Sequence, residues 1–394
     1  MRMLVLGAGL QGSACAYDLL ANTDHDVVLA DLNVDSLPAF LSAYLGNRLT
    51  AVAVDAKDEG SIRGVMQGVA ATMSAFPYYF NGRMAALAVE AGSHFCDLGG
   101  NTEIVWEQKK LAEQAGAKGV SVVPDCGLAP GMVNILAQFG IDRLDTTDAV
   151  RIKVGGLPQN PEPPLNYQIV YSIEGMLDYY TTLSWVLRDG KPTKVTALSE
   201  IEPLDFPGVG ELEAFHTAGG LSTMAERFEG KIPTMEYKTL RYPGHAQIME
   251  AVRELGLLSL EPVQVKDSRT REVKEIIPRD FFISVVGPKL RKDYKASPDL
   301  VALRVEAEGT KDGKHQLVRF DLLDKYDAES GITAMMRTTG YSLAITGALQ
   351  AAGRVKPGVW TPDEAMPAAE YIDELAKRNV VIQQHVITPE GAKS

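Results

Sequence analysis

A glycine-rich segment near the start of the chain places the tightest constraint on its fold. The apolar run at residues 3–6 leads into Gly7-Ala-Gly-Leu-Gln-Gly12, and the residues that follow are compatible with a helix. In such a strand, turn and helix unit, the glycines permit the turn, a close approach of a pyrophosphate, and tight packing of the helix on the strand. The free N–H groups at the helix start then face the phosphates. The segment predicts a dinucleotide site formed by Gly7, Gly9, Leu10, Gln11 and Gly12.

A second apolar run supports this interpretation and indicates which dinucleotide is bound. Residues 27–30 are apolar and are followed by Asp31, at the spacing of an acid that binds the ribose. Its carboxylate would accept hydrogen bonds from the ribose hydroxyls and repel a 2′-phosphate, and Leu32 and Asn33 supply no cation. We therefore expect NAD rather than NADP. The alternative is that Asp31 only ends a strand and the glycines form a structural turn.

Composition narrows the classes of partner and compartment. A chain of 394 residues is long enough for roughly two or three domains. The net charge of −12 disfavours nucleic acid and anionic membrane as partners, and leaves a small-molecule substrate as the expected ligand. The three cysteines lack CxxC spacing, which favours a reducing, cytoplasmic compartment. No run of about 18 apolar residues predicts a membrane span, and no HxxxH or HExxH spacing predicts a metal site.

The periodicity of the first third of the chain is typical of a parallel sheet covered by helices. Up to Pro124, short apolar runs alternate with amphipathic stretches. The predicted strands are 3–7, 26–31, 49–54, 71–75, 93–98 and 120–124. The predicted helices are 11–21, 34–45, 58–69, 80–91 and 101–117. The fold class is thus α/β, with an N-terminal Rossmann dinucleotide-binding domain over residues 1–124.

The remainder of the chain predicts a different architecture. Residues 125–337 mix helical stretches, such as 132–141 and 245–257, with β-like runs, which predicts an α+β substrate and dimerisation domain with an open sheet. Those runs are 148–155, 193–198, 235–241, 281–286, 300–307 and 316–322. The small residues of 338–352 predict a helix, so we expect residues 338–394 to form a helical segment that packs back on the Rossmann domain. Residues 389–394 read as a frayed tail.

Loops that follow strands are the first place to look for chemistry, because ligands of an open α/β sheet lie beyond the carboxyl ends of its strands. Asp125 follows the sixth strand and is the first candidate for a proton acceptor; the alternative is an acid that caps the next helix. Asp97, after the fifth strand, has a weaker claim. Tyr78 and Asn81, after the fourth strand, are candidates for contact with the nicotinamide.

Two later segments could hold a substrate. Residues 213–223 are dense in hydroxyls and glycines, which suits either a loop around a small polar ligand or a simple polar turn. Arg241 could hold a carboxylate through two hydrogen bonds. His216 and His245 are candidates for the site, although a lone histidine is more often a capped or surface residue.

Taken together, these segments resemble the saccharopine dehydrogenase-like family, and within it the lysine 6-dehydrogenase branch. The matching strings are residues 7–12, 97–100, 124–131, 172–175, 213–220 and 237–245. The resemblance implies NAD-dependent oxidation of the ε-amine of L-lysine to the 6-semialdehyde, with release of ammonia and cyclisation to a piperideine carboxylate, in a homo-oligomer. It also implies site residues. These are catalytic Asp125, Asp97 and His216, and substrate-binding Glu174, Glu213, Thr223, Arg241 and His245.

One departure from the related saccharopine-forming enzymes bears on the substrate. Those enzymes carry an arginine-containing polar stretch where this chain has residues 216–220, and its absence favours a smaller substrate. A saccharopine or carboxynorspermidine-type dehydrogenase is the alternative, since the same hydride chemistry oxidises secondary amines. A hypothesis of another class is an NAD-binding sensor without turnover.

Overall fold

The computed structural model describes residues 1–388, so the predicted tail at 389–394 lies outside the described residues. The strands, in chain order, are β1 Arg2–Leu6, β2 Asp26–Asp31, β3 Leu49–Ala53, β4 Ala71–Ser74, β5 His94–Asp97, β6 Ser121–Val123, β7 Thr146–Pro158, β8 Ser184–Arg188, β9 Lys191–Val195, β10 Glu202–Phe206, β11 Gly210–His216, β12 Thr234–Arg241, β13 Val263–Lys266, β14 Val273–Ile276, β15 Asp299–Lys311, β16 Lys314–Lys325, β17 Gly358–Val359 and β18 Gln383–Ile387. The helices are α1 Leu10–Asn22, α2 Glu59–Met66, α3 Asn81–Ala91, α4 Thr102–Lys109, α5 Ala112–Lys118, α6 Met132–Ile141, α7 Ile173–Thr181, α8 Met224–Arg227, α9 His245–Glu254, α10 Pro278–Leu290, α11 Ala334–Ala351, α12 Pro362–Ala365 and α13 Ala368–Lys377. None of these described helices is both long and apolar enough to cross a bilayer.

The first sheet has the predicted Rossmann arrangement. Its seven strands pair in the order β17-β6-β5-β4-β1-β2-β3, and every pairing is parallel. The chain order reverses between β1 and β4, which is the point where a ligand crevice opens in sheets of this kind. The predicted α/β class and N-terminal parallel sheet are therefore confirmed.

The second sheet is mixed, as the predicted α+β architecture requires. Its main path runs β10-β11-β12-β7-β15-β16-β18, with β8 pairing to β12 and β9 to β8. The central β7 runs parallel to β12 and antiparallel to β15. The loop after β11 reaches the first sheet, where the Ser222 hydroxyl donates to the Asp125 carboxylate.

Three local predictions were wrong. Residues 34–45 form only a 3₁₀ turn at Ala39–Tyr44, since Pro38 removes a backbone donor and breaks the helix. The predicted helix 101–117 is divided into α4 and α5 at Lys110, where neither glycine nor proline occurs. The predicted strand 281–286 lies inside α10, which begins with Pro278 at its first position. A short apolar run does not by itself distinguish a strand from a helix.

The C-terminal part returns to the first sheet, as predicted. Helix α11 packs against α1, β4 and β5. This approach depends on small residues, since a Cβ placed on Gly340 would lie 2.7 Å from the Cβ of Ala14 and one on Gly347 would lie 2.4 Å from the sulfur of Met73. The segment also supplies two strands that the sequence analysis missed. β17 joins the first sheet, whereas β18 pairs with β16 of the second sheet, so the described part of this segment is not wholly helical and does not pack on the first domain alone.

A buried ion pair fastens the C-terminal helices to α1. The Nε of Arg378 donates to both carboxylate oxygens of Asp18 at 2.7 and 2.9 Å. Burial outweighs this attraction and raises the pKa of Asp18 to about 6. Removing one partner leaves the other charge buried and uncompensated, which costs about 3–5 kcal/mol.

We expect Arg378→Met to lower the free energy of unfolding by about 3–5 kcal/mol in a denaturant titration. Arg354→Met is the matched control, because Arg354 pairs with Glu370 at 2.7 Å on the surface, where its side chain is 55% exposed. Its loss should be below about 1 kcal/mol. Equal losses in the two variants would contradict a stabilising role for the buried pair.

Candidate active site

The glycine turn is built to accept a dinucleotide. Gly7 has a φ of +99°, and a Cβ on Gly12 would lie only 1.8 Å from the carbonyl oxygen of Gly7. Helix α1 begins after Gly9 with no side-chain cap. Both amide atoms of Gln11 are buried without a hydrogen-bond partner. The helix start and the Gln11 amide therefore remain available to a bound phosphate or amide group.

Asp31 lies at the end of β2 and contacts the same turn. One carboxylate oxygen accepts from the N–H of Ala8 at 2.6 Å, and the other accepts from the N–H of Asn33 at 3.1 Å. Each oxygen of a carboxylate can accept more than one hydrogen bond. Asp31 can thus support the turn and still accept hydrogen bonds from ribose hydroxyls.

Tyr78 and Asn81 lie on the other side of the crevice, after β4. Tyr78 packs on Gly100, where a Cβ would lie 3.4 Å from the Cβ of Tyr78. The Asn81 Oδ1 accepts from the Ser74 hydroxyl at 2.8 Å, whereas its Nδ2 is buried with no partner. Asn81 therefore has a free donor near the carboxyl end of β4.

Asp97 is engaged by donors of its own domain. Its carboxylate accepts from the N–H of Gly99 at 2.7 Å, from Nε2 of Gln108 at 2.6 Å and from the N–H of Asp125 at 3.3 Å. Burial raises its pKa to about 6, which these hydrogen bonds oppose. Asp97 thus orders two strand-end loops, and the catalytic role that the resemblance implied for it stays a prediction.

Asp125 is the strand-end acid whose carboxylate still has an unused hydrogen-bond acceptor. It is buried, with a φ of +60°. Its Oδ2 accepts from the Ser222 hydroxyl, and its Oδ1, packed on Gly99, has no partner at hydrogen-bond geometry, although the nearby Gly100 N–H favours the charged form. Burial raises the pKa of Asp125 to about 7, against the effect of the Ser222 hydrogen bond. A carboxyl group with a pKa near neutrality suits proton transfer at physiological pH.

The alternative role for Asp125, a cap for the next helix, is filled by another residue. The Oδ1 of Asn134 accepts from the N–H of Gly131 at 2.7 Å at the start of α6. Its Nδ2 reaches across to the carbonyl oxygens of Gly220 and Leu221 at 3.2 and 3.3 Å. Asn134 therefore caps α6 and also anchors the loop after β11.

That loop lies flat on two tyrosine rings. A Cβ on Gly219 would lie 3.0 Å from the ring of Tyr179, and one on Gly220 would lie 2.1 Å from the ring of Tyr237. Ser222 and Thr223 follow at the start of α8, and both are buried. The segment that was predicted to surround a ligand or form a polar turn is thus closely packed, and it contacts Asp125 through Ser222.

Arg241 is a buried cation without an acidic partner. Its Nε donates to the Tyr180 hydroxyl at 3.2 Å and its Nη1 to the carbonyl oxygen of Leu240 at 2.9 Å, while the guanidinium lies 4.7 Å from the ring centre of Tyr167. Within residues 1–388, each of the other buried cationic side chains has a carboxylate within 4 Å. These are Lys238, Arg279, Arg304, Arg337 and Arg378. Arg241 is therefore the buried charge available to an anionic ligand.

His245 is linked to Arg241 through the Tyr180 hydroxyl, which both side chains contact. Its Nδ1 lies 2.9 Å from the carbonyl oxygen of Leu165 and its Nε2 lies 3.0 Å from the Tyr180 hydroxyl. Burial and the nearby Arg241 charge lower its pKa to about 3, so the ring is neutral. Nδ1–H then donates to Leu165, Nε2 accepts from Tyr180, and the Tyr180 oxygen accepts from Arg241. His245 therefore orients the guanidinium and does not offer a free nitrogen to substrate.

The two predicted glutamates lie in different surroundings. Glu213 accepts from the N–H groups of Gly244 and Ala246 at 3.0 and 2.7 Å, at the start of α9. It is 9% exposed. Glu174 is exposed in the first turn of α7, and its carboxylate accepts from the Ser172 hydroxyl at 2.9 Å.

His216 belongs to a separate charge network. Its Nε2 lies 3.1 Å from Glu200 and 3.4 Å from Arg188, and its Nδ1 lies 3.2 Å from the carbonyl oxygen of Tyr237. Arg188 also binds Glu236 and Glu200, each at 2.8 Å. His216 shares no hydrogen-bond partner with Asp125. The side-chain ligand atoms of Glu200, His216 and Glu236 are close enough together to surround a metal cation. However, Arg188 already neutralises the carboxylates of Glu200 and Glu236.

Comparison with known proteins agrees with this architecture. Residues 3–123 match the profile described as the saccharopine dehydrogenase NADP binding domain, and residues 127–381 match the saccharopine dehydrogenase C-terminal domain. The chain belongs to the saccharopine dehydrogenase family. It is thus a member of an oxidoreductase family, which confirms the resemblance seen in the sequence.

Individual members of the saccharopine dehydrogenase family are distant in sequence. Saccharopine dehydrogenase (NADP(+), L-glutamate-forming) of Schizosaccharomyces pombe is 21% identical over 455 aligned positions, covering 98% of this chain and 99% of that protein. The mitochondrial alpha-aminoadipic semialdehyde synthase of Mus musculus is 24% identical over 271 residues, and the match spans 66% of this chain but only 29% of the mouse protein.

Solved structures share the fold. Apo saccharopine dehydrogenase (L-Glu forming) from Saccharomyces cerevisiae superposes with a TM-score of 0.79 at 19% identity, over 98% of this chain and all of that one. The homospermidine synthase of Legionella pneumophila, solved in complex with NAD, gives a TM-score of 0.69 at 10% identity, over 99% of this chain and 92% of that one.

Several residues of this family member's site were missed by the sequence analysis. Ser222, Asn134 and the tyrosines at 167, 179, 180 and 237 reach the site from different elements. The one signal in the sequence was the hydroxyl-rich and glycine-rich segment at 213–223, which contains Ser222 but does not distinguish it from the neighbouring hydroxyl residues. The tyrosines carry no spacing that separates them from ordinary core residues.

Proposed function

We propose that this protein catalyses the NAD-dependent oxidative deamination of the ε-amine of L-lysine to the 6-semialdehyde, with release of ammonia. The observation that carries the proposal is a pair of buried groups, Asp125 and Arg241, neither of which has an oppositely charged partner within residues 1–388. One is an acid beside the strand-end loops of the dinucleotide domain, and the other is a cation with no protein carboxylate. A substrate with an amine at one end and a carboxylate at the other would satisfy both.

Tyrosines connect the two groups. Burial, the Tyr237 hydroxyl and the Asp125 carboxylate all raise the pKa of Tyr179, so Tyr179 is near both. Burial likewise raises the pKa of Tyr237, which the charge of nearby Arg241 opposes. Glu213 is close enough to Tyr180 to contribute to that residue's raised pKa, behind the larger effect of burial. A carboxylate at this position suits the α-ammonium of an amino acid.

The chemistry follows from these positions. When bound, the nicotinamide supplies the acceptor for a hydride from the carbon that carries the amine. Asp125 takes a proton from the ε-ammonium, because only the neutral amine can release a hydride to give an iminium ion. Arg241 holds the α-carboxylate and thereby fixes which carbon is oxidised. Water then hydrolyses the iminium ion to the aldehyde, and the nitrogen leaves as ammonium.

The cofactor preference rests on Asp31, and a substitution tests it. We expect Asp31→Ala to weaken NAD binding by at least about tenfold, since a hydrogen bond to a charged group is worth about 1.5–3 kcal/mol. Calorimetric titration with NAD and NADP measures both affinities. Asp35→Ala is the control, because Asp35 is an exposed acid four residues away. Tighter binding of NADP than NAD by the unmodified protein would overturn the preference.

The second candidate is a saccharopine dehydrogenase, which the match to both saccharopine dehydrogenase domains and to the fission-yeast enzyme favours. Saccharopine carries several carboxylates, whereas Arg241 is the single buried cation of the described chain that lacks an acidic partner. An absorbance assay for NADH or NADPH, run with lysine and with saccharopine, separates the candidates. NADH formation with lysine alone supports the proposal, and activity with saccharopine alone replaces it. Binding of NAD without turnover of either would favour a sensor.

A further inference from the structure

Asp125 and Ser222 make an unusual contact between the two halves of the molecule. Asp125 follows β6 of the first sheet, and Ser222 lies between β11 of the second sheet and α8. Both have a positive φ, +60° and +51°. Non-glycine residues are uncommon in this left-handed region, which costs most of them about 1–3 kcal/mol. Here the two strained residues meet each other through a hydrogen bond.

The serine loop does not depend on this hydrogen bond for its position. Asn134 holds the carbonyl oxygens of Gly220 and Leu221 from α6. The loop also packs on the rings of Tyr179 and Tyr237. Loss of the Ser222 hydroxyl should therefore leave the loop in place and remove only its bond to Asp125.

The groups around Asp125 differ in which ionisation state they favour. Burial, and then the charges of Asp97 and Asp363, oppose the ionisation of Asp125. The Gly100 N–H and the Ser222 hydroxyl favour the charged form. Within residues 1–388, Ser222 supplies the one side-chain hydrogen bond to the Asp125 carboxylate.

We propose that Ser222 is the positioning residue that keeps Asp125 ionised and correctly oriented to accept the substrate proton. The part of this inference that concerns proton transfer from substrate rests on the proposed function. The part that concerns the ionisation of Asp125 rests only on its contact with Ser222. A donor hydrogen bond stabilises the carboxylate relative to the carboxylic acid. Removing the hydroxyl therefore raises the pKa of Asp125, and the base remains protonated up to a higher pH.

The direct test is a pH titration of the full-length protein carrying aspartate labelled with ¹³C at the carboxyl carbon. The Asp125 resonance is assigned as the one lost in Asp125→Asn. In Ser222→Ala we expect its midpoint to move up by about one pH unit, the size expected for a hydrogen bond to a charged group. Ser222→Thr keeps a hydroxyl and should restore most of the original midpoint. Ser42→Ala, an exposed serine in the first domain, should not move it.

The same variants are then compared in turnover. In Ser222→Ala the acid limb of kcat/KM should move to higher pH by the same amount, whereas a purely structural residue would lower the plateau without moving the limb. An unchanged Asp125 midpoint in a folded Ser222→Ala protein overturns the inference. A shifted midpoint in a protein that does not oxidise lysine supports the role of Ser222 and overturns the proposed function instead.

Discussion

Asp125→Asn is expected to reduce lysine turnover by about 10²- to 10⁴-fold, the usual contribution of a positioned acid or base. The amide has the shape of the carboxylate and can still accept from Ser222, but it cannot take a proton. Asp125 lies beyond β6, and none of its described hydrogen bonds reaches the glycine turn at residues 7–12. The affinity for NAD should therefore change little. Steady-state kinetics and NAD titration measure the two effects separately.

A second buried aspartate provides the control for this variant. Asp299 also has its pKa raised to about 6 by burial, and it accepts from the N–H groups of Ala334 and Met335 at the start of α11. Asp299→Asn should lower stability while leaving the turnover of the folded protein unchanged. Near-normal lysine oxidation by Asp125→Asn would rule out Asp125 as the base, whatever the behaviour of Asp299→Asn.

The parts of this molecule that could be read from its sequence are those set by local patterning. The strand, glycine turn and helix at the start, and the parallel strands that follow, are specified by runs of a few residues and their spacing. The apolar run at 281–286 failed because its period is ambiguous and Pro278 favours a helix start. The strand β17 is only two residues long and leaves no pattern to detect.

The site was only partly predictable, because its chemistry depends on contacts between distant segments. Asp125 could be found from its position after a strand, whereas its partner Ser222 is 97 residues away. His216 and His245 were attractive as lone histidines, yet one joins a network with Arg188 and the other supports Tyr180. His216 ends β11 and His245 begins α9, so the surroundings of each are set by contacts with segments that are distant in the sequence.

Replacing Arg241 should have the largest effect on substrate binding. In Arg241→Met, which keeps much of the apolar volume, we expect the KM for lysine to rise by about 10²-fold or more, since truncating one partner of a buried, hydrogen-bonded charge pair costs about 2–5 kcal/mol. The effect on kcat should be smaller, because Asp125 and the dinucleotide turn are unchanged. Steady-state kinetics over a wide range of lysine concentration measure both.

The comparison that isolates the carboxylate uses 1,5-diaminopentane, which is lysine without that group. The unmodified protein should strongly prefer lysine, and Arg241→Met should lose most of this preference because neither substrate then has a charge to pair with. Arg241→Lys retains the charge but cannot make two parallel hydrogen bonds, so its preference should be intermediate. If Arg241→Met still discriminated against the diamine as the unmodified protein does, the carboxylate would be held elsewhere. The assignment of the two ends of the site would then have to be reversed or abandoned, since no other buried cation of residues 1–388 is free to replace Arg241.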